Sequence, residues 1–168
     1  MTTFDETTDK LDQPAYGIGP VEAVQRFFRK YAVFSGRASR SEYWWVALAL
    51  FLVYLVLGAI AGVVGASTAT VNAAGKSEPG VAFIVPLMIL FIIGLVALVP
   101  GIAVTVRRLH DANFSGFLYF LNAIPYVGGF VVFILTLMPS NPLGRRYDEG
   151  AVTVVSPAPS QPTPPPAV

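Results

Sequence analysis

The stretch YWWVALALFLVYLVLGAIAGVVGA, residues 43–66, contains no Asp, Glu, Lys, Arg or His. A helix of about 20 residues, rising about 1.5 Å per residue, crosses a hydrocarbon layer of about 30 Å, and this run is longer than that. A soluble core helix of the same length would carry a polar stripe. Residues 81–106 and 117–138 are equally free of ionisable side chains. In lipid a spanning segment satisfies its backbone groups internally, so helix is the expectation for all three runs. The fold class that follows is all-α, a polytopic membrane protein with three transmembrane helices.

Upstream of the first run, Val21, Val24, Phe27, Phe28 and Tyr31 recur at spacings of three and four, with Glu22, Gln25, Arg26, Arg29 and Lys30 on the other side. That pattern predicts a short amphipathic helix over residues 20–34, with Pro20 in its first turn. It could lie in the headgroup region, pack on the protein's own membrane helices, or do both. Residues 1–19, rich in Thr and Asp, read as a disordered N-terminal tail. Residues 35–148 form the three-helix membrane domain. Residues 149–168, with six prolines among Ser, Thr and Ala, read as a Pro-rich disordered C-terminal tail.

Hydrophobic residues make up 54% of the chain and charged ones 12%, too apolar a balance for an ordinary soluble domain. A net charge of +1 with no basic patch gives no case for nucleic acid. The chain has no Cys and one His, so no zinc site is expected, because zinc needs three or four such ligands. Adjacent His110 and Asp111 point different ways on a helix and no nucleophile motif accompanies them, so a Ser-His-Asp triad is not expected either. No cofactor, metal or catalytic residue is assigned.

Arg26, Arg29, Lys30, Arg37 and Arg40 precede the first run and only Lys76 occupies the loop after it, which places the N-terminus in the cytoplasm of a multi-pass plasma-membrane protein. Two crossings return Arg107 and Arg108 to that side. A third would put Arg145 and Arg146 outside, against the rule. Three full spans is nevertheless the favoured reading, with a re-entrant hairpin broken at Pro125 as the alternative. Kinks are expected at Pro86, at Pro100-Gly101 and at Pro125 with Gly128-Gly129. Gly58 and Gly62, extended by Ala66, are expected to form a close helix-packing face, within the chain or in a homodimer. Tyr43, Trp44 and Trp45 are expected to anchor the interface.

Two loop phrases stand out: Gly36-Arg37-Ala38-Ser39-Arg40-Ser41-Glu42-Tyr43-Trp44 before the first run, and Arg107-Arg108-Leu109-His110-Asp111 after the second. With Ser115-Gly116 and Ile124-Pro125 they make the chain, over residues 21–147, resemble the bacterial membrane-protein family named Domain of Unknown Function 805. Members often end in Asn-Arg-Tyr-Gly, where this chain has Arg145-Arg146-Tyr147-Asp148. The resemblance implies a small inner-membrane protein and no activity.

The charged residues of the two phrases, Arg37, Arg40, Glu42, Arg107, Arg108, His110 and Asp111, are expected to gather at the cytoplasmic interface. Glu42 should pair with an arginine of the second phrase and Asp111 with Arg37 or Arg40, leaving positive charge for lipid phosphate. The function expected is structural or interactive, organising lipid, anionic in particular, or partner proteins at the cytoplasmic face. A transport or channel component is the alternative and a membrane-embedded enzyme the third reading. Intramembrane ionisable residues usually mark ion paths, and their absence from the apolar runs argues against an autonomous transporter.

Overall fold

The computed structural model describes residues 13–148. Helix α1 (Pro20–Arg29) leads into α2 (Arg40–Ser67). A two-stranded antiparallel hairpin, β1 (Thr70–Val71) with β2 (Ser77–Glu78), joins α2 to α3 (Ile84–Asp111) by way of one 3-10 turn, Val81–Phe83. A 3-10 segment, Gly116–Ala123, then precedes α4 (Val127–Leu137), and a last 3-10 turn covers Pro142–Tyr147.

Helices α2 and α3 have 28 residues each, about 42 Å at about 1.5 Å per residue. Only 11% and 6% of their most apolar windows is buried, so these are not core helices of a soluble protein, whose apolar faces would be covered. Large side chains such as Phe51, Val63 and Phe91 stand more than half exposed, an arrangement suited to hydrocarbon. Ser39 caps α2 by accepting from the Glu42 amide at 3.1 Å. At the same end of the pair, α3 stops in a Schellman motif. Asn113 has φ +65°, its amide donates to the His110 carbonyl, and the Phe114 amide donates to Leu109. Pro86 falls in the first turn of α3, and the helix continues through Pro100.

The third apolar run departs from the expected span. The 3-10 segment ends at Ile124, whose extended backbone suits the residue before a proline, and Tyr126 takes φ +63° beside Pro125. The helix beyond has 11 residues, about 16 Å, too short to cross. Its direction is fixed at both ends by one residue. The chain leaves α3 at Asp111, and it returns there: Ser140 Oγ donates to Asp111 Oδ2 at 2.5 Å and the Asn141 amide to the Asp111 carbonyl at 2.8 Å. The two arms touch closely at Gly128, where a Cβ would collide with the Leu121 carbonyl. Proline and the positive-φ residue thus turn one expected span into a broken hairpin.

Within the chain, Gly58, Gly62 and Ala66 do not form the packing contact. All three are exposed, and a Cβ added to Gly58 or Gly62 would meet nothing within 4 Å. The residues buried there are Ala61 and Gly65, the latter with Phe83 Cβ 3.4 Å from its added Cβ. Neighbouring positions on a helix are about 100° apart, so a one-residue offset moves the stripe off the contact. Leu at Gly58 or Gly62 should therefore change the unfolding free energy of the monomer in detergent by no more than about 0.5 kcal/mol. Leu at Ala61 or Gly65 should cost about 1–3 kcal/mol by overpacking. Equal losses at all four positions would return the contact to the glycine face.

Helix α1 is shorter than expected and turned the other way from a soluble amphipathic helix. Ala23, Arg26, Phe27 and Lys30 are buried, whereas Val21, Phe28 and Tyr31 are exposed. Residues 13–19, expected to be disordered, pack on this surface. The Gln13 carbonyl accepts from Arg26 Nη2 at 2.7 Å, the Ala15 carbonyl accepts from Ser39 Oγ, and the Gly17 amide donates to Ser41 Oγ at 3.0 Å. The strap orders because its backbone carbonyls satisfy buried donors and Ile18 packs against the core around Ala23 and Phe27. The expected disorder of residues 1–12 and 149–168 lies outside the described residues.

Candidate functional site

The charged residues of the two loop phrases meet where α1, α2 and α3 converge. Glu42, in the first turn of α2, is fully buried, its Oε2 3.6 Å from Arg26 Nε and its Oε1 3.6 Å from Arg107 Nη2. Both separations are ion-pair distances longer than hydrogen bonds. Arg107 is itself fully buried and spends Nη1 on the carbonyls of Lys30, at 3.2 Å, and Val33, at 2.8 Å. Those carbonyls follow α1, so Arg107 ties the end of one helix to the start of the next. The Arg107 carbonyl accepts from the Ala38 amide at 3.0 Å, which fixes the loop between them.

One helical turn along, Asp111 organises a second cluster. It is fully buried and receives Arg108 Nη1 at 2.6 Å, Ser140 Oγ at 2.5 Å and Tyr16 Oη at 3.0 Å, with Arg37 Nη1 3.9 Å away. Burial, and then the Asp111 carboxylate, raise the Tyr16 phenol above its ordinary pKa of 10.0, so it remains a donor at neutral pH. Arg108 Nε donates to the Thr136 carbonyl at 3.0 Å, and Nη2 donates to the Met138 carbonyl, so this guanidinium holds the returning arm of the hairpin. Arg37 makes a two-pronged contact with Asp148, Nε to Oδ1 and Nη2 to Oδ2, both at 2.8 Å. Those hydrogen bonds raise the Arg37 pKa further. Asp148 stands where the resemblance leads one to expect Gly. The chain exit packs closely at Gly144, where a Cβ would collide with the His110 carbonyl.

The structure brings Glu42 to Arg107 and Asp111 to both Arg108 and Arg37. Arg40 is left on the surface and joins no ion pair among the described residues. Arg107 and Arg108, expected to offer surplus charge to lipid, are at 0% exposure, so protein groups rather than phosphate surround them. Among the described residues the exposed cations are Arg29, Arg40, Arg145 and Arg146, together with Lys76 in the β-hairpin. His110 is half-buried, with Nδ1 3.2 Å from the Gly36 carbonyl and its ring stacked on Tyr147 at 4.0 Å. Among the described residues no group of three or more His, Cys, Asp or Glu is placed to hold a metal. Of the aromatic trio, Trp45 is exposed, whereas Trp44 turns inward and meets Phe133 of α4 edge-on at 5.7 Å.

Sequence reading missed four members of these clusters: Tyr16, Arg26, Ser140 and Asp148. Arg26 was legible in principle. A membrane-associated amphipathic helix turns its apolar side to lipid, so its basic side is the one that faces protein. The other three sit in loops whose approach to Asp111 depends on the hairpin's return.

Two long, outward-apolar helices with a buried polar cap at one end define a helical membrane protein. The chain belongs to the family described as Protein of unknown function (DUF805), whose sequence profile matches residues 31–149, as the loop motifs implied. It is 27% identical to Inner membrane protein YhaH of Escherichia coli (strain K12) over 122 residues, which cover 73% of this chain and 89% of that protein. It is 26% identical to Inner membrane protein YhaI of the same strain over 119 residues, 71% of this chain and 86% of the relative. These similarities make it an inner-membrane protein of unknown function. No solved structure matches it.

Proposed function

We propose that this protein is a structural or interaction module that crosses the membrane twice and presents a rigid cationic surface to lipid or partner proteins at the cytoplasmic face. The observation that carries the reading is the convergence of five segments on Asp111 and Glu42: the strap, α1, the loop before α2, the end of α3 and the chain exit. Buried ion pairs serve specificity of arrangement more than stability. The segments they hold carry the exposed Arg29, Arg40, Arg145 and Arg146, charges suited to anionic headgroups or acidic partners.

The two-crossing placement follows from the hairpin. If the third apolar run enters and leaves from one side, Arg145 and Arg146 join the N-terminal arginines there, and the positive-inside conflict disappears. Reporter fusions at the two termini should both read cytoplasmic. A C-terminus on the outer side would reject the placement. Co-purification and crosslinking from native membranes in mild detergent should recover a specific protein or a stoichiometric lipid, lost when the exposed arginines are changed together. Movement of ions or solutes by the reconstituted protein would instead favour a channel component, a reading to which the broken helix at Pro125 lends some support, since irregular backbone at membrane depth lies against protein or lines a cavity.

A further inference from the structure

On the outer flank of α3, next to the buried clusters but separate from them, an open groove of about 330 Å³ runs between the helix and the 3-10 segment Gly116–Ala123. Ile102, Val106, Phe117 and Phe120 line its length, and Phe34 and Tyr147 also border it. Gly116 sets its width: a Cβ there would stand 2.6 Å from Val106 Cγ1 and 3.0 Å from His110 Nε2, so any other residue would push the segment off the helix. The Phe117 and Phe120 rings lie 6.3 Å apart at 29° and are 81% and 68% exposed, two adjacent rings with little protein over them.

The polar end of the groove has the opposite character. Tyr147 stacks on His110, and the exposed Arg146 guanidinium sits 4.8 Å from the Tyr147 ring centroid, its Nη2 3.0 Å from Tyr147 Oη. That same nitrogen makes a long contact, 3.4 Å, to the Asn113 carbonyl. Arg145 is exposed beside it. Among the described residues no acidic side chain lines the groove, and the adjoining Asp148 carboxylate is occupied by Arg37. An apolar trough that ends in an oriented guanidinium with no ion pair among the described residues matches one kind of molecule: a long chain with an anion at its head.

We infer that the groove binds one anionic phospholipid, its acyl chain against Phe117 and Phe120 and its phosphate on Arg146. The site rests on the membrane placement proposed above, which puts the aromatic rings at acyl depth and Arg146 at headgroup level. A zwitterionic headgroup would bring a second cation beside Arg146 and Arg145, so net negative charge is selected. Arg146 supplies the direct contact, and Tyr147 with His110 holds it in position.

The test titrates the delipidated full chain in detergent with dioleoylphosphatidylglycerol, dioleoylphosphatidylcholine and dioleoylglycerol, reading bound lipid by native mass spectrometry. One phosphatidylglycerol should bind more tightly than either of the others. Arg146→Ala should weaken it about tenfold, the size of one charge-assisted hydrogen bond, and leave dioleoylglycerol unchanged. Ile102→Trp, which fills the trough, and Phe120→Ala, which removes a wall without crowding the fold, should weaken all three lipids. Lys76→Ala removes an exposed cation in the β-hairpin, outside the proposed cationic surface, and should change nothing. Equal losses from Arg146→Ala and Lys76→Ala, or no loss from both groove variants, would overturn the site. The reporter fusions judge the membrane placement separately, so failed lipid binding with both termini cytoplasmic would sink the site alone.

Discussion

Asp111→Ala should destabilise the protein by about 3–5 kcal/mol, the penalty expected when one partner of a buried ion pair is removed and the other charge stays behind. Arg108 cannot escape to water, because it is fully buried and its Nε and Nη2 are held by the carbonyls of Thr136 and Met138. Tyr16 and Ser140 would lose their acceptor in the same step. Asp111→Asn keeps the shape and one carbonyl acceptor, and should cost less, about 1–3 kcal/mol. Arg40→Ala, at the surface, should fall within about 0.5 kcal/mol of the parent. Reversible unfolding in mixed detergent–SDS micelles measures all three. Because the returning arm of the hairpin is attached through Arg108 and Ser140, Asp111→Ala should also open residues 139–148 to protease before the long helices unfold. Unfolding indistinguishable from the parent would mean that the hairpin is held by its apolar contacts alone.

Glu42→Ala should cost a similar amount, about 3–5 kcal/mol, because it leaves buried Arg107 facing Arg26 with no carboxylate between them. The double variant Glu42→Ala/Arg107→Met should recover much of that loss. The 3.6 Å contacts give the carboxylate no hydrogen bond to offset its desolvation, and the apolar pair removes both charges from the interior, Met keeping nearly the volume of Arg107 while Ala leaves space at Glu42. A double-mutant cycle on Glu42 and Arg107 should therefore give a coupling of about 0.5–3 kcal/mol. The cycle on Glu42 and Arg108 should give a value near zero, since Arg108 is engaged by Asp111. Coupling to Arg108 as large as that to Arg107 would show a diffuse cytoplasmic field in place of specific pairs.

That α2 and α3 are long and apolar enough to cross a membrane is legible in the chain alone, because length and the lack of charge are properties of a single segment and need no knowledge of neighbours. The sequence also determined the family and the meeting of the two loop phrases, since arginines and carboxylates at one interface have few other partners. Which arginine takes which carboxylate depends on how the helices pack. Arg107 and Arg108 are adjacent in sequence and about 100° apart on the helix, so one faces α1 and Glu42 while the other faces the hairpin and Asp111. The same rotation moved the packed small residues from Gly58 and Gly62 to Ala61 and Gly65. The third apolar run is the largest case. Composition marks it as suited to lipid over its whole length, but whether such a run crosses or turns back depends on what holds its far end. Here Ser140 and Asn141 bind Asp111, a contact 29 and 30 residues away in the chain that no local pattern encodes.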